Sequence, residues 1–350
     1  MTREELLERV GVGEVLEGAC LDGVDLAGAE LGGGIFESCS FVGANLRGAS
    51  LRESILSDCD FSRAVLEKAE LRQTTFQRAS FVNANLDESD LTAAKLLACD
   101  LACATLRRAT LVVAQFVEVS LDGTSFEGAN LDRFAVLMPR SCKDLDVRGA
   151  KLKQTVMLAA DLTSARFDGA TFELAVMNDS DFTGQDFSGM SLALTQFSKA
   201  KLVRCTFSGA DISQCNFHES DLSHAKFDAA KGKHVMFLGA KLLGTSFAKA
   251  SLQGSVFNDC AMEGGDFAEA ELRECMFQKS KVVASTFSGA DLSYADFSHA
   301  DISGSDFSGA TLFRTRFHRT VEDRTIFTHR LLALGDDSDL AEAEDFEPKA

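Results

Sequence analysis

"FSGADLSYADFSHADISGSDFSGATL", residues 287–312, places apolar side chains at Phe287, Leu292, Phe297, Ile302, Phe307 and Leu312 and mostly small or polar residues between them. A helix repeats its apolar face at three and four residues and a strand at two, so a strict five fits neither. The same spacing runs outward from this stretch through most of the chain. One register steps by five from Leu21 to Leu131, giving 23 repeats; a second, displaced by one residue, steps from Val147 to Phe317, giving 35, with Gly232 as its clearest lapse. Of the 28 phenylalanines, 25 fall on this central position when Phe327 is included, while the chain has no tryptophan and one tyrosine.

Two residues before each central position the sequence is small: Ala44, Ala49, Ser54, Cys59 and Ala64 in the first register, Ala200, Cys205, Ala210 and Cys215 in the second. A unit with one large and one small inward residue describes one side of a coil that turns a corner every five residues. The number of sides follows from the identity of the large residue. Phe occupies every twentieth position from 167 to 307 and again from 197 to 317, and the central positions between these two columns from 192 to 312 are aliphatic, Gly232 excepted. A three-sided coil would stack Phe on Leu; a four-sided coil stacks Phe on Phe.

The matches "SGADLSYADFSHADISGSDFSGATL" and "VGANLRGASL" resemble the pentapeptide repeat family, whose repeat is written A(D/N)LXX, over about residues 19–319. The resemblance implies an all-β fold, a right-handed quadrilateral β-helix of about 14 coils with short helical caps. At about 4.8 Å per coil the expected rod is roughly 70 Å long. Both ends of such a stack expose unpaired backbone and need covers. Thr2 and Glu5 have capping-box spacing ahead of Leu6, Leu7 and Val10, so residues 1–16 read as a cap helix. The β-helix then divides into 17–131 and 147–320. Residues 321–335, with "HRLLALG" read as a short helix ended by Gly335, form a second cap or a dimerisation segment built on Ile326, Phe327, Leu331, Leu332 and Leu334. The resemblance favours a homodimer through this end. Residues 336–350, with seven acids and one lysine, read as a disordered acidic tail.

The interruption at 132–146 holds the only internal proline, Pro139, together with Arg133, Arg140 and Lys143 and the apolar run Ala135 to Met138. It is either a one-residue bulge that resets the coil or a projecting loop, which the resemblance connects with topoisomerase protection.

The formal net charge is −18. Residues 17–131 hold 17 acids and 9 bases, whereas 132–335 hold 25 acids and 23 bases. That balance disfavours direct nucleic-acid binding through a basic groove. The charged N-terminus has no signal-like apolar stretch, and no run approaches the roughly 18 apolar residues of a membrane span, so a cytoplasmic protein without membrane contact is expected. No catalytic, cofactor-binding or metal site is expected: no GxSxG or GxxxxGK occurs, and the six histidines show no metal-ligand spacing. Seven of ten cysteines sit in the small-residue slot and read as packing. The aspartates before the central position read as corner residues bonding their own backbone.

The resemblance to quinolone- and albicidin-resistance members implies a non-enzymatic rod that mimics DNA and binds DNA gyrase or topoisomerase IV, protecting it from poisons. A structural or scaffolding rod is the alternative. The candidate partner-binding residues are Asp22, Asp60, Asp100 and Asp122, on the face numbered by Leu21, Phe41, Phe61, Phe81, Leu101 and Leu121, together with Arg133, Pro139 and Arg140 of the interruption.

Overall fold

The computed structural model describes residues 1–346. The chain forms two compact units, Met1–Asp181 and a second beginning at Phe182. Each is a four-sided parallel β-coil. In chain order the elements are α1 (Arg3–Gly11), β1 (Val15–Glu17), β2 (Ile35–Glu37), β3 (Ile55–Ser57), β4 (Thr75–Gln77), β5 (Lys95–Leu97), β6 (Gln115–Val117), β7 (Ala135–Leu137), β8 (Lys151–Lys153), β9 (Val156–Leu158), β10 (Thr171–Glu173), β11 (Asp306–Phe307), β12 (Ile326–Phe327) and α2 (Ser338–Glu344). One side of the first unit is an eight-stranded parallel sheet ordered β1-β2-β3-β4-β5-β6-β7-β9. Elsewhere successive coils meet mainly in single parallel bridges, such as Ser40↔Asp60 and Asp211↔Lys231, each joining positions four pentapeptides apart.

The repeat produces this geometry because each five-residue side has two inward positions and three outward ones. Leu21, Leu26, Leu31 and Phe36 are fully buried, one on each side, and Ala44 and Ala49 fill the small slots. The chain turns each corner through a residue in the left-handed region, glycine at Gly43 (φ 66°) but also Arg63 (φ 61°) and Lys68 (φ 60°). Such a conformation disfavours residues other than glycine, and here the bonds of the ladder hold it: Leu21 N donates to Ser40 O at 2.7 Å and Ser40 N to Ala19 O at 2.8 Å.

The rings report the period directly. Phe41 stacks on Phe61 at 4.6 Å and Phe277 on Phe297 at 4.6 Å, each pair one full coil apart, while rings on opposite sides meet edge to face across the core, as Phe277 and Phe287 do at 5.9 Å. Each such pair contributes about 0.5–1.5 kcal/mol beyond its burial. The seven slot cysteines have a second role besides packing. Each thiol donates to a main-chain carbonyl of the coil before it, from Cys39 to Leu16 O at 3.1 Å through Cys275 to Leu252 O at 3.1 Å, as Ser54 and Thr74 do from the same slot. Burial pushes the Cys215 and Cys275 thiols up to about 12, which keeps them unreactive.

The N-terminal cap is α1, where Thr2 and Glu5 exchange backbone bonds at 3.3 and 2.8 Å and Leu6 and Val10 are buried against the first coil. The interruption at 132–146 does not leave the coil. β7 pairs with β6 at the regular step and with β9 at a step one residue longer, and Ser120 faces Ser141 rather than residue 140. Arg140 N donates to Val119 O at 2.8 Å while Leu121 N donates to Ser141 O at 2.8 Å, so two residues oppose one across a bulge. The projecting loop is therefore replaced by a single extra residue at one corner.

The C-terminal end also differs from the sequence reading. Residues 328–334 form no helix: Arg314 N donates to Leu332 O at 2.7 Å and Leu334 N to Thr315 O at 2.8 Å, so this segment extends the coil instead. So short a helix starts poorly by itself, and the open edge offers backbone partners at once. The helix that does form is α2, inside the stretch expected to be disordered, with Asp337 capping Leu340 N at 3.1 Å. The last residues of that tail, 347–350, lie outside the described residues. Arg330 closes the ring column, its guanidinium 4.8 Å from the Phe317 ring and 4.9 Å from the Phe327 ring, paired with Glu322 at 2.6 Å.

Candidate functional site

Because three of every five side chains point outward in columns that repeat once per coil, charge can be sorted side by side. On three sides of the first unit many of the acids meet bases one coil away, although among the described residues Asp25, Glu30, Glu37, Glu53 and Glu118 do not. Arg47 pairs with Glu67 at 2.6 Å, Arg107 with Asp87 at 3.0 Å, Arg108 with Glu88 at 2.9 Å, Arg72 with Asp90 at 2.5 Å and Arg78 with Asp58 at 2.6 Å. Asp146 is nearly buried and accepts from both Arg148 (2.8 Å) and Arg166 (3.0 Å). Desolvation pushes its carboxyl up, but the bonds from Arg148, with the charge of Arg166, outweigh it and leave the group below the usual carboxylate range. A sequence signal for these ladders exists in the charges spaced one coil apart at Arg47, Glu67, Asp87, Arg107 and Glu127, but it is visible only once four sides are assumed.

The fourth side is different. Around Leu21, Phe41, Phe61, Phe81, Leu101, Leu121, Cys142 and Leu162 the outward positions carry Asp22, Asp60, Asp100, Asp122, Asp144 and Asp161 against Arg63 and Lys143. Among the described residues none of the six carboxylates is in an ion pair. Asp60 and Asp100 each commit one oxygen to the backbone two residues on, to Ser62 N at 2.8 Å and Ala102 N at 3.0 Å. Asp22 and Asp122 instead reach the next coil, to Val42 N at 3.1 Å and Lys143 N at 2.9 Å, each also accepting from a serine hydroxyl, Ser40 and Ser141. The Ser40 hydroxyl and the Val42 amide hold the Asp22 carboxyl below its ordinary value. The four aspartates singled out in the sequence thus share one side. Pro139 and Arg140 stand at its edge, in the bulge. Arg133 does not: two residues past Leu131, it belongs to the corner following the opposite side, and its guanidinium lies 3.5 Å from Asp132.

The adjoining side is the sheet, and its outward column turns apolar where it borders the acids. Leu97, Val117, Leu137 and Leu158 lie in register on β5, β6, β7 and β9, all partly exposed, with Met138 61% exposed at the bulge. Only Ala98 and Cys99 separate Leu97 from Asp100. The acidic column and the apolar ladder therefore meet along one corner.

At the end of the second unit the five residues assigned to dimerisation separate into two groups. Phe327 is partly buried, stacked on Phe307 at 5.1 Å, whereas Ile326, Leu331, Leu332 and Leu334 are exposed, Leu331 by 95%. Beside them the structure gathers a group not foreseen from the sequence: His299, His318 and Glu344, with ligand-type atoms within 4.8 Å of one another. The spacing of the histidines falls one short of a full coil, but Glu344 reaches them only because α2 folds back.

The family model described as "Pentapeptide repeat region" matches residues 29–106, 180–257 and 250–327, and the one described as "Pentapeptide repeats (8 copies)" matches 99–134 and 141–179, breaking at the bulge. No curated protein matches the sequence. Among solved structures, HetL, a pentapeptide repeat protein involved in heterocyst differentiation regulation from the cyanobacterium Nostoc sp. strain PCC 7120, is 20% identical over 90% of this chain and 96% of its own, with a TM-score of 0.22. QnrB1, a plasmid-mediated fluoroquinolone resistance protein, is 20% identical over 57% of this chain and 100% of its own, with a TM-score of 0.28. A thylakoid-lumen pentapeptide repeat protein of Arabidopsis thaliana is 24% identical over 40% of this chain and 66% of its own, with a TM-score of 0.15. With repeats matched from residue 29 to residue 327 and every side of the coil built on the five-residue unit, the chain belongs to the pentapeptide repeat family.

Proposed function

We propose that the protein acts without catalysis, as a binding protein whose first unit presents its acidic side and the adjoining apolar ladder to a basic, DNA-binding groove of a protein partner. A type II topoisomerase, DNA gyrase or topoisomerase IV, is the partner we infer, and shielding it from poisons that trap cleaved DNA is the role. The observation that carries this reading is the arrangement of charge: the other three sides pair many of their acids in ladders, though not Asp25, Glu30, Glu37, Glu53 or Glu118, whereas the acidic side gathers six carboxylates of which none is in an ion pair among the described residues. Eight coil levels span about 34 Å, over which duplex DNA carries about 20 charges. The acidic side is thus a sparse copy of a duplex, and the apolar ladder must supply part of the contact. A second reading, a scaffold with no nucleic-acid connection, is favoured by that same ladder. The deciding assay is supercoiling by gyrase, with and without a quinolone: the topoisomerase reading requires inhibition or rescue at micromolar protein, and neither effect would leave the scaffold reading in its place.

A further inference from the structure

We propose that His299, His318 and Glu344 form a binding site for a divalent transition metal of the zinc type, which fastens α2 onto the end of the second unit. The three residues come from two successive coil levels and from the returning helix. His299 Nε2 lies 3.1 Å from Glu344 Oε1, and His318 Nε2 lies 3.3 Å from Glu344 Oε2. Tetrahedral zinc with bonds of about 2.0–2.1 Å spaces its ligand atoms about 3.3 Å apart; each nitrogen already stands near that distance from one oxygen of the carboxylate, His299 from Oε1 and His318 from Oε2. All three ligand atoms lie within 4.8 Å of one another, and closing the widest separation to about 3.3 Å completes the set. The donor types are those zinc takes, two imidazoles and a carboxylate, and with His299 and Glu344 partly exposed the fourth position opens to water.

The surroundings say what must change when the ion enters. His318 is fully buried; its Nδ1 accepts from Asp337 N at 3.1 Å, so in this arrangement its proton is on Nε2, donated to Glu344. A metal on Nε2 requires the proton on Nδ1. The Asp336 carboxylate, 3.8 Å from Nδ1, is placed to receive it as the supporting carboxylate that ligating histidines commonly have. Arg319 also approaches Glu344, at 3.3 Å, but its guanidinium is paired with Asp345 at 2.5 Å, which offsets part of its repulsion of the ion. Glu344 ties α2 to the histidine pair, so binding is coupled to closure of this end.

The test is titration of the full-length, reduced protein with zinc chloride alone, followed by calorimetry. Cys20 and Cys103 are exposed thiols, and a Cys20→Ser/Cys103→Ser variant removes their contribution. The expected result is one zinc per chain, kept in the double serine variant and weakened about tenfold or more in His299→Ala and in Glu344→Gln. Nitrogen-15 spectra should show the His318 proton moving from Nε2 to Nδ1 on zinc addition, a change that a purely hydrogen-bonded fastening would not give. No uptake at about 100 µM zinc, far weaker than structural zinc sites bind, would overturn the proposal, as would uptake unchanged in both ligand variants or lost with the two serines.

Discussion

Gly232 and Val235 exchange the ordinary roles of their positions. A Cβ at Gly232 would stand 2.6 Å from Val235 Cγ2 and 2.8 Å from Ile212 Cγ1, so the valine in the small slot fills the space that the missing large residue leaves. Cys142 and Leu145 repeat the exchange at the bulge, both buried. The inward pair is kept as a volume, not as a residue at each position. Gly232→Ala should therefore destabilise by about 1–3 kcal/mol, and Val235→Ala in the same chain should recover part of that loss, with a coupling of about 0.5–3 kcal/mol. Denaturant unfolding of the two singles and the double checks this; strictly additive losses would show that the two sites do not share the space.

Where no such exchange exists, the slot should refuse bulk. Ala210 is fully buried, and Ala210→Leu should cost about 1–3 kcal/mol. Thermal melts matching the parent would contradict the inward assignment.

The ring column ends under Arg330, which touches two phenylalanines at once. Arg330→Ala should weaken the end of the second unit by about 1–2 kcal/mol, and Arg330→Lys should restore little of it, since an ammonium cannot lie flat across both rings. Hydrogen exchange at Phe317 and Phe327 reads the effect locally; equal exchange in Arg330→Ala and the parent would mean that the guanidinium covers nothing.

The fastening of α2 should depend on pH in one direction. Desolvation pushes the Glu344 carboxyl up, but hydrogen bonds from His299 and His318 together outweigh it and leave the carboxyl below its ordinary 4.5; the Arg319 hydrogen bond holds Asp345 below 3.8. Carboxyls lowered by docking stabilise the docked form above their free values and lose that contribution as pH falls through the docked ones. With chelator present, amide protection in α2 should be full at neutral pH and lost as the pH drops below about 4. Protection that persists there would show that the carboxylates do not hold the helix.

We further propose that the exposed Ile326, Leu331, Leu332 and Leu334 pair two chains about a two-fold axis. Light scattering should give twice the chain mass, and Leu331→Glu with Leu332→Glu should halve it. A monomer mass in the parent at high concentration removes the dimer.

How much of this was legible in the sequence depends on which interactions repeat. Phe at every twentieth position of the second register announced four sides because there ring stacks on ring along a column, and Asp60 and Asp100 could be placed on one side by the same count. The bulge was not separable from a loop, because an insertion of either kind moves the register by one between Leu131 and Val147. "HRLLALG" was misread because a short apolar run does not distinguish helix from strand, and the open coil edge decided it. The gathering of His299, His318 and Glu344 had no periodic signal at all, since α2 lies outside the repeats.

The most direct test of the acidic side is its binding to purified gyrase, measured for the parent, for Asp60→Lys/Asp100→Lys, and for Arg133→Glu at the corner after the opposite side. The expected binding weakens with salt, falls about tenfold or more in the double lysine variant, as loss of interface charge pairs does, and is unchanged in Arg133→Glu. Equal binding by the parent and the double lysine variant, or no binding at all, would contradict it.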